Sequence, residues 1–474
     1  MDPILYWNEV ALEANRKDFS GPGAPEQGGP TLSSRAQAIV HLAMYDAYAG
    51  VIKDPVNLPP YLPGLPAPGA GASADAAVAY AAHETLSKLF PSQKSTFDQK
   101  LTGAGLSGPG VNAGRDFGLL VAGAILEDRK NDPSASDAGY TPSNERGRHR
   151  VDPDNPGQGF HAPFYGAKSK GFAITKRHEL KKPPKPGDGD YTKALREVRA
   201  KGIAPELMGT LPLEGPSRSM DETVIGIYWG YDGAVNLGTP PRLYNQIVRV
   251  IAKAKNNSVA ENARLFALVN AAMGDAGILA WDQKYIHDFW RPVVGIREHD
   301  KSMGPAATAG TDNLSDDCDP FWLPLGAPNS NRPGKNFTPP FPAYPSGHAT
   351  FGAAALHMTR LFYGVTGTGS DDLFKGLTFV SDEFNGVTQD NKGTVRPRHV
   401  RNFDGGLWQM IEENGRSRVF LGVHWVFDAF ALDHFGRPDL SENIGGVPLG
   451  LKIAEDIFNG GREKGLKKST VGPR

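Results

Sequence analysis

Apolar residues recur at helical spacing through most of this chain, and strict alternation of apolar and polar positions is sparse. The segment 33–51 opens on a serine pair suited to capping and carries Ala38, Val40, Leu42, Ala43, Tyr45 and Ala47. Segments 73–90 and 109–131 share that length and pattern, and 191–201 predicts a short helix. Further along, the spacing predicts helices over 219–232, 241–254, 259–289, 348–363, 370–385 and 403–435, with a last one over 448–458 behind Gly445-Gly446. Between the two sets, 132–187 is rich in Asp, Pro, Gly, Lys and His and reads as a long connecting segment. The expected fold is all-α: two helical bundles packed as one unit, with the functional site in the second. Residues 1–205 form the N-terminal helical half and 206–474 the C-terminal half, the boundary being marked by Gly202, Pro205, Gly209 and Pro212.

Composition narrows the function classes. With 39% hydrophobic and 22% charged residues the chain reads as an ordinary globular protein. A formal net charge of −1 supplies no global field to draw in nucleic acid or an anionic membrane, so any anion site must be local. The lysine-rich patch 176–185 is read as a solvated face. One cysteine, Cys318, excludes an internal disulfide. No apolar run is read as long enough to span a bilayer and no cleavable leader is visible, which leaves cytosolic and exported locations both open. Nothing in the pattern fixes the oligomeric state.

Three separated stretches carry candidate chemistry. In Lys284-Tyr-Ile-His-Asp-Phe-Trp-Arg291-Pro292 the two cations are seven residues apart, which two helical turns would bring to one face before Pro292 ends the helix. Two cations so placed repel unless an anion or acids lie between them; a solvated basic face is the plainer alternative. In Phe341-Pro-Ala-Tyr-Pro345-Ser346-Gly347-His348 a proline-rich loop runs into a helical pattern. Ser346 can cap that helix, Gly347 admits a ligand to its backbone N–H, and His348 can move protons near neutral pH. A simple helix start would explain Ser346 alone. In Ser417-Arg418-Val-Phe-Leu-Gly422-Val-His424-Trp-Val-Phe-Asp428, helical spacing would align Ser417, His424 and Asp428 as one polar stripe. There Asp428 could orient the His424 ring, or the pair could merely satisfy itself. Together the stretches gather Lys284, Arg291, Arg418, Ser346, the Gly347 amide and two histidines. Buried cations in that number need a polyanion to offset their burial, and arginine forks match a tetrahedral oxyanion.

The ordered set Lys-x6-Arg-Pro, Pro-Ser-Gly-His and Ser-Arg-x3-Gly-x-His-x3-Asp resembles the signature of the vanadium haloperoxidases and the type-2 phosphatidate phosphatase/acid phosphatase superfamily. Tyr228-Trp-Gly-Tyr-Asp232-Gly, the run 238–246, Phe289-Trp-Arg-Pro, the run 341–351 and Gly445-Gly-Val-Pro-Leu-Gly are similar to the fungal chloroperoxidase branch; residues 219–460 match firmly and the first 200 more loosely. The resemblance implies vanadate as cofactor, with His424 on the metal and Lys284, Arg291, Arg418, Ser346 and Gly347 on its oxygens. It implies His348 as the acid–base residue, Lys284 polarising bound peroxide, Asp232 pairing with Arg418, and Asp428 behind His424. The substrates it implies are hydrogen peroxide and a halide, and the product is hypohalous acid. Trp281 and Phe341 would wall the halide pocket, and their aromatic character points to chloride oxidation. The same donors serve an acid phosphatase, with His424 as nucleophile, and this is the second reading; a non-catalytic oxyanion binder would leave both histidines unexplained. The remaining histidines, including His149, His161, His287 and His434, are assigned no role.

Overall fold

The computed structural model describes residues 1–211, 215–308, 317–461 and 466–474. Pro212, one of the boundary residues above, lies outside the described residues. The chain folds into helices α1 (Pro3–Asp18), α2 (Gly29–Ile52), α3 (Ala74–Leu89), α4 (Lys94–Gly103), α5 (Val111–Asp128), α6 (Tyr165–Lys168), α7 (Gly189–Lys201), α8 (Met220–Tyr228), α9 (Pro240–Ala254), α10 (Val259–His287), α11 (Pro292–Arg297), α12 (Gly347–Phe362), α13 (Gly406–Phe420) and α14 (Gly446–Gly460). Among the described residues the strands are two residues each, β1 (Ala431–Leu432) and β2 (Pro438–Asp439), paired antiparallel. The all-α expectation holds, and 132–187 is a connecting segment broken only by short turns and α6.

Helix α10 is the axis of the molecule. A capping box starts it: Ser258 Oγ accepts from the Glu261 N–H at 3.3 Å and Glu261 Oε2 accepts from the Ser258 N–H at 2.7 Å. It packs against α2 from the first half and α12 from the second, while α12 also meets α9, α13 and α14. Buried residues occur on every side of α10 from Leu265 to Lys284, so most of the helix lies inside the protein and not on its surface. It amends the reading that no apolar run could span a bilayer: α10 has the length and hydropathy, but 94% of its apolar window is buried within the protein. Sequence spacing did not predict α1, although Asp2 accepts from the Leu5 N–H at 2.9 Å and Pro3 occupies the first turn, both standard start signals.

Three predicted helices are shorter or absent. The 219–232 helix stops at Tyr228, which leaves Trp229–Asp232 as a turn with Tyr231 at φ +53°. Only a short turn, Asp382–Phe384, forms within 370–385. Asp371 there spends its carboxylate on the Leu407 and Trp408 amides at the start of α13, both at 3.1 Å, so a polar residue of the supposed helix caps another one. The 403–435 helix is α13 alone. It ends at Phe420 because Gly422 sits at φ +73°, and a Cβ on that residue would lie 2.4 Å from the Gly202 carbonyl oxygen. That close approach joins the end of α13 to the end of α7. His424 and His434 therefore lie in loops, not on a helix.

Candidate active site

Lys284 and Arg291 do converge, by a different route from helical periodicity. α10 ends at His287, Asp288 turns left-handed at φ +48°, and Arg291 is extended as the residue capping α11, whose first position is Pro292. Lys284 Nζ is fully buried and donates to the carbonyls of Pro342 at 2.8 Å, Ala343 at 3.2 Å and Pro345 at 2.5 Å. Arg291 Nε donates to Phe341 O at 2.8 Å and Nη1 to Val423 O at 2.7 Å. Each cation thus pins the proline-rich loop before α12, and Arg291 also pins the loop after α13. The carbonyls that hold them carry no mark in the sequence, since any residue supplies one.

The other predicted stretches meet the same point. Ser346 caps α12, its Oγ accepting from the Ala349 N–H at a long 3.4 Å, and Gly347 and His348 form the first turn. His348 Nε2 lies 2.7 Å from the Gly230 carbonyl. A carbonyl can only accept, so Nε2 carries the proton and Nδ1 is the ring's free acceptor. His424 Nδ1 lies 2.7 Å from Asp428 Oδ2, and its Nε2 lies 2.9 Å from Arg291 Nη1. A guanidinium only donates, so Nε2 presents its lone pair toward Arg291 while Nδ1–H faces Asp428. Asp428 Oδ2 also accepts from the Trp425 N–H at 3.0 Å, which fixes the carboxylate within its own short turn. Arg418 bonds Asp232 in a fork, Nη2 to Oδ1 at 2.7 Å and Nη1 to Oδ2 at 3.1 Å. Ser417 points elsewhere, its hydroxyl donating to Asn414 O at 2.7 Å.

Trp281 and Phe341 stand together with ring centroids 4.8 Å apart. Phe341 also lies 5.0 Å from Lys284 Nζ and 4.9 Å from Arg291 Cζ, so its ring shields both cations. Sequence reasoning missed His161, which stands edge-on to Trp281 at 5.9 Å and tilted against Phe341 at 6.1 Å. Its carbonyl accepts from Trp281 Nε1 at 3.2 Å and from the Tyr285 hydroxyl at 2.8 Å. It sits in the connecting segment, where no periodicity marks it. Gly29 and Pro30, from the start of α2, also line the cavity, so the first half contributes to its wall.

The cavity itself is about 50 Å³ and is bounded by Trp281, Phe341, Gly347, His348, Arg418 and His424, with Asp232 beside them. That volume suits a small inorganic species, well below the roughly 300–1,000 Å³ of organic ligand sites. Burial and neighbouring cations set the electrostatics. Burial pushes the His424 ring well below its ordinary range, followed by the charges of Arg291, Lys284 and Arg418 and by His348. Burial and then Arg418 bring His348 down to about 4 against the pull of Asp232. Burial lowers Lys284 strongly and takes Arg291 to about 9. Burial raises Asp428 to about 7, opposed by Lys284 and Arg291. Two donors remain buried without a partner, Arg291 Nη2 and Arg418 Nε. Unpaired buried guanidinium nitrogens are costly, and an oxyanion in the cavity is what would satisfy them. The donor set therefore fits vanadate: guanidinium and ammonium groups for its oxygens, and a neutral imidazole with an oriented lone pair for its metal.

A helical double bundle around a buried oxyanion site defines the class of protein. Residues 1–158 match the model of the vanadium chloroperoxidase N-terminal domain, and 264–438 that of the second helical-bundle domain of the same proteins. The N-terminal match is thus better defined than the looser similarity read over the first 200 residues. The chain is 36% identical to the vanadium chloroperoxidase of Curvularia inaequalis over 574 aligned positions, covering 97% of this chain and 90% of that one. It belongs to the vanadium chloroperoxidase family. Its fold is shared with a bacterial vanadium-dependent iodoperoxidase at a TM-score of 0.62 and 19% identity, covering 95% of each chain. A holo-type bacterial vanadium-dependent chloroperoxidase superposes with a TM-score of 0.63 at 17% identity, covering 92% of this chain and 93% of that one.

Proposed function

We propose that this protein is a vanadium-dependent haloperoxidase that uses vanadate as cofactor and oxidises halide with hydrogen peroxide to hypohalous acid. The observation that carries the reading is the oriented pair of His424 and Asp428. With Nδ1–H committed to Asp428 at 2.7 Å, the Nε2 lone pair faces the guanidinium-lined cavity, as a metal-coordinating imidazole requires. Bound there, vanadate supplies a Lewis-acid centre at which peroxide becomes electrophilic toward halide. Lys284, Arg291 and Arg418, with Ser346 and the Gly347 amide, would hold its oxygens, and Asp232 keeps the Arg418 fork in place. His348, neutral because burial depresses its pKa to about 4, accepts the proton of incoming hydrogen peroxide at Nδ1. The halide would take one peroxide oxygen with one proton as hypohalous acid, and the other oxygen leaves as water with the proton returned by His348 and one further proton from solvent, so that halide, hydrogen peroxide and one proton give hypohalous acid and water. Burial weakens the hold of Lys284 on its proton, and the negative charge of a bound oxyanion would offset that and keep an ammonium near the reacting oxygens.

The test is peroxide-dependent halogenation against phosphate-ester turnover, with and without added vanadate. Halogenation that appears only with vanadate is the expected result; ester hydrolysis that vanadate merely inhibits, with no halogenation, would make the chain an acid phosphatase.

Trp281 and Phe341 dry the approach to the cavity, and chloride is the halide that such a wall favours, because water competes least with the reacting charges there. Phe341→His brings water and a titratable group against Lys284 and Arg291. Its chloride kcat/KM is expected to fall by about tenfold relative to bromide, one unit of roughly 1.4 kcal/mol in barrier. Steady-state rates with both halides give the ratio, and an unchanged ratio removes Phe341 from halide selection.

A further inference from the structure

Behind the cavity, the segment that was expected to be helical and is not carries a buried acid that the scheme above does not use. Glu383 has no exposed surface. Its Oε2 accepts from Ser330 Oγ at 2.6 Å and from Arg396 Nη1 at 2.6 Å. Its Oε1 accepts from the Tyr231 N–H at 3.3 Å. It lies so close to the turn that a Cβ on Gly230 would stand 2.6 Å from Oε1. Neighbouring residues grip the same turn: Ser381 Oγ donates to Tyr228 O at 2.6 Å, and the Asp382 N–H donates to the Tyr231 hydroxyl at 2.8 Å.

The Tyr231 N–H and the Gly230 carbonyl belong to one planar peptide group. Glu383 accepts from the N–H end of that group, and the carbonyl end accepts from His348 Nε2–H at 2.7 Å. A carboxylate on the N–H polarises the amide and makes its carbonyl a stronger acceptor, as hydrogen bonds in a chain reinforce one another. The next residue, Asp232, holds Arg418 and lies 3.9 Å from His348 Nε2. We infer that Glu383 is a positioning residue for this reaction: through the Gly230–Tyr231 peptide it holds His348 in the tautomer that leaves Nδ1 free to accept a proton. The inference rests on the reading of His348 as the acid–base residue. The relay has the logic of Asp428 behind His424, with a peptide group in place of direct contact. It also gives Gly230 a reason to lack a side chain, since any Cβ there would displace the carboxylate.

The test compares Glu383→Gln with Arg396→Gln. Both cut the same buried ion pair, but only the first removes the negative charge from the Tyr231 N–H. The ring nitrogens of His348, assigned by their loss in His348→Ala, are followed by NMR in the vanadate-free protein, and halogenation kinetics are measured in the vanadate-loaded one. In Glu383→Gln the His348 signals are expected to move from the Nε2–H tautomer toward a mixture. Its kcat should fall by about tenfold with little change in peroxide KM, in the range seen when a partner behind a functional group is removed. Arg396→Gln should keep the tautomer and stay within about twofold in kcat while losing comparable thermal stability. If Glu383→Gln does not fold, Gly230→Ala pushes the carboxylate away from the other side and should give the same tautomer change. An unchanged tautomer and kcat in the folded Glu383 or Gly230 variant overturns the inference, as do equal kcat losses in the Glu383 and Arg396 variants. Should His348→Ala itself keep full kcat, the acid–base reading falls, whatever Glu383 does.

Discussion

His424→Ala is expected to lose vanadate while keeping phosphate. Of the groups around the cavity, only this imidazole offers a lone pair held toward it by a carboxylate behind the ring. The three cations act on any oxyanion through charge and hydrogen bonds, and they stay in place when the ring is cut off. Removing a partner behind a metal ligand costs about 10–100-fold in metal affinity, so deleting the ligand itself should cost more than about 100-fold. Phosphate, which needs no metal–nitrogen bond, should bind within a few-fold of the parent. Equilibrium dialysis with each anion reads both affinities. Equal losses for the two would mean that His424 serves only as one more hydrogen-bonding group and that the metal-ligand assignment is wrong. Halogenation should vanish with vanadate affinity, and raising vanadate should restore it at most in part.

The second large effect is expected at His348, which also lines the cavity. His348→Ala removes the proton acceptor but none of the groups that hold the anion, so vanadate affinity should change little while kcat falls by about 10²–10⁴, the usual worth of a general base. The sign of the pH effect follows from burial. The ring's pKa is pushed down to about 4, so in the vanadate-free protein it is unprotonated across the neutral range and gains its proton only in acid. The variant should therefore lose activity at neutral pH without a compensating gain at lower pH. Single-turnover rates with saturating peroxide make the measurement, and a drop in vanadate affinity that accounts for the whole loss would reassign His348 to anion binding.

Much of this site could be read from the chain because its donors are side chains of unusual type at helix boundaries. Ser346, Gly347 and His348 stand where a proline-rich loop becomes a helix, and the structure puts the start of α12 there. Lys284 and Arg291 were rightly paired for the wrong reason. Their meeting depends on a left-handed Asp288 and an extended Arg291 that helical periodicity does not encode. The same holds for His424 and Asp428, which face each other across a short turn after Gly422 breaks the helix. The backbone acceptors were out of reach: the carbonyls of Pro342, Ala343 and Pro345 on Lys284, and of Gly230 on His348, are chosen by tertiary position alone. So was the role of 370–385. Its apolar spacing satisfied a helical template, while its acids were committed to distant partners, Asp371 to the start of α13 and Glu383 to Tyr231. Contacts between residues more than a hundred positions apart leave no local trace, which is also why His161 escaped notice.

The ammonium of Lys284 has three hydrogens, and three loop carbonyls already take them. Those three bonds tie the end of α10 to residues 342–345, so the helix that carries Lys284 also fixes where the Ser346 cap of α12 stands. A neutral side chain at 284 would leave three buried carbonyls without donors, so the shape of the loop would be lost along with the charge.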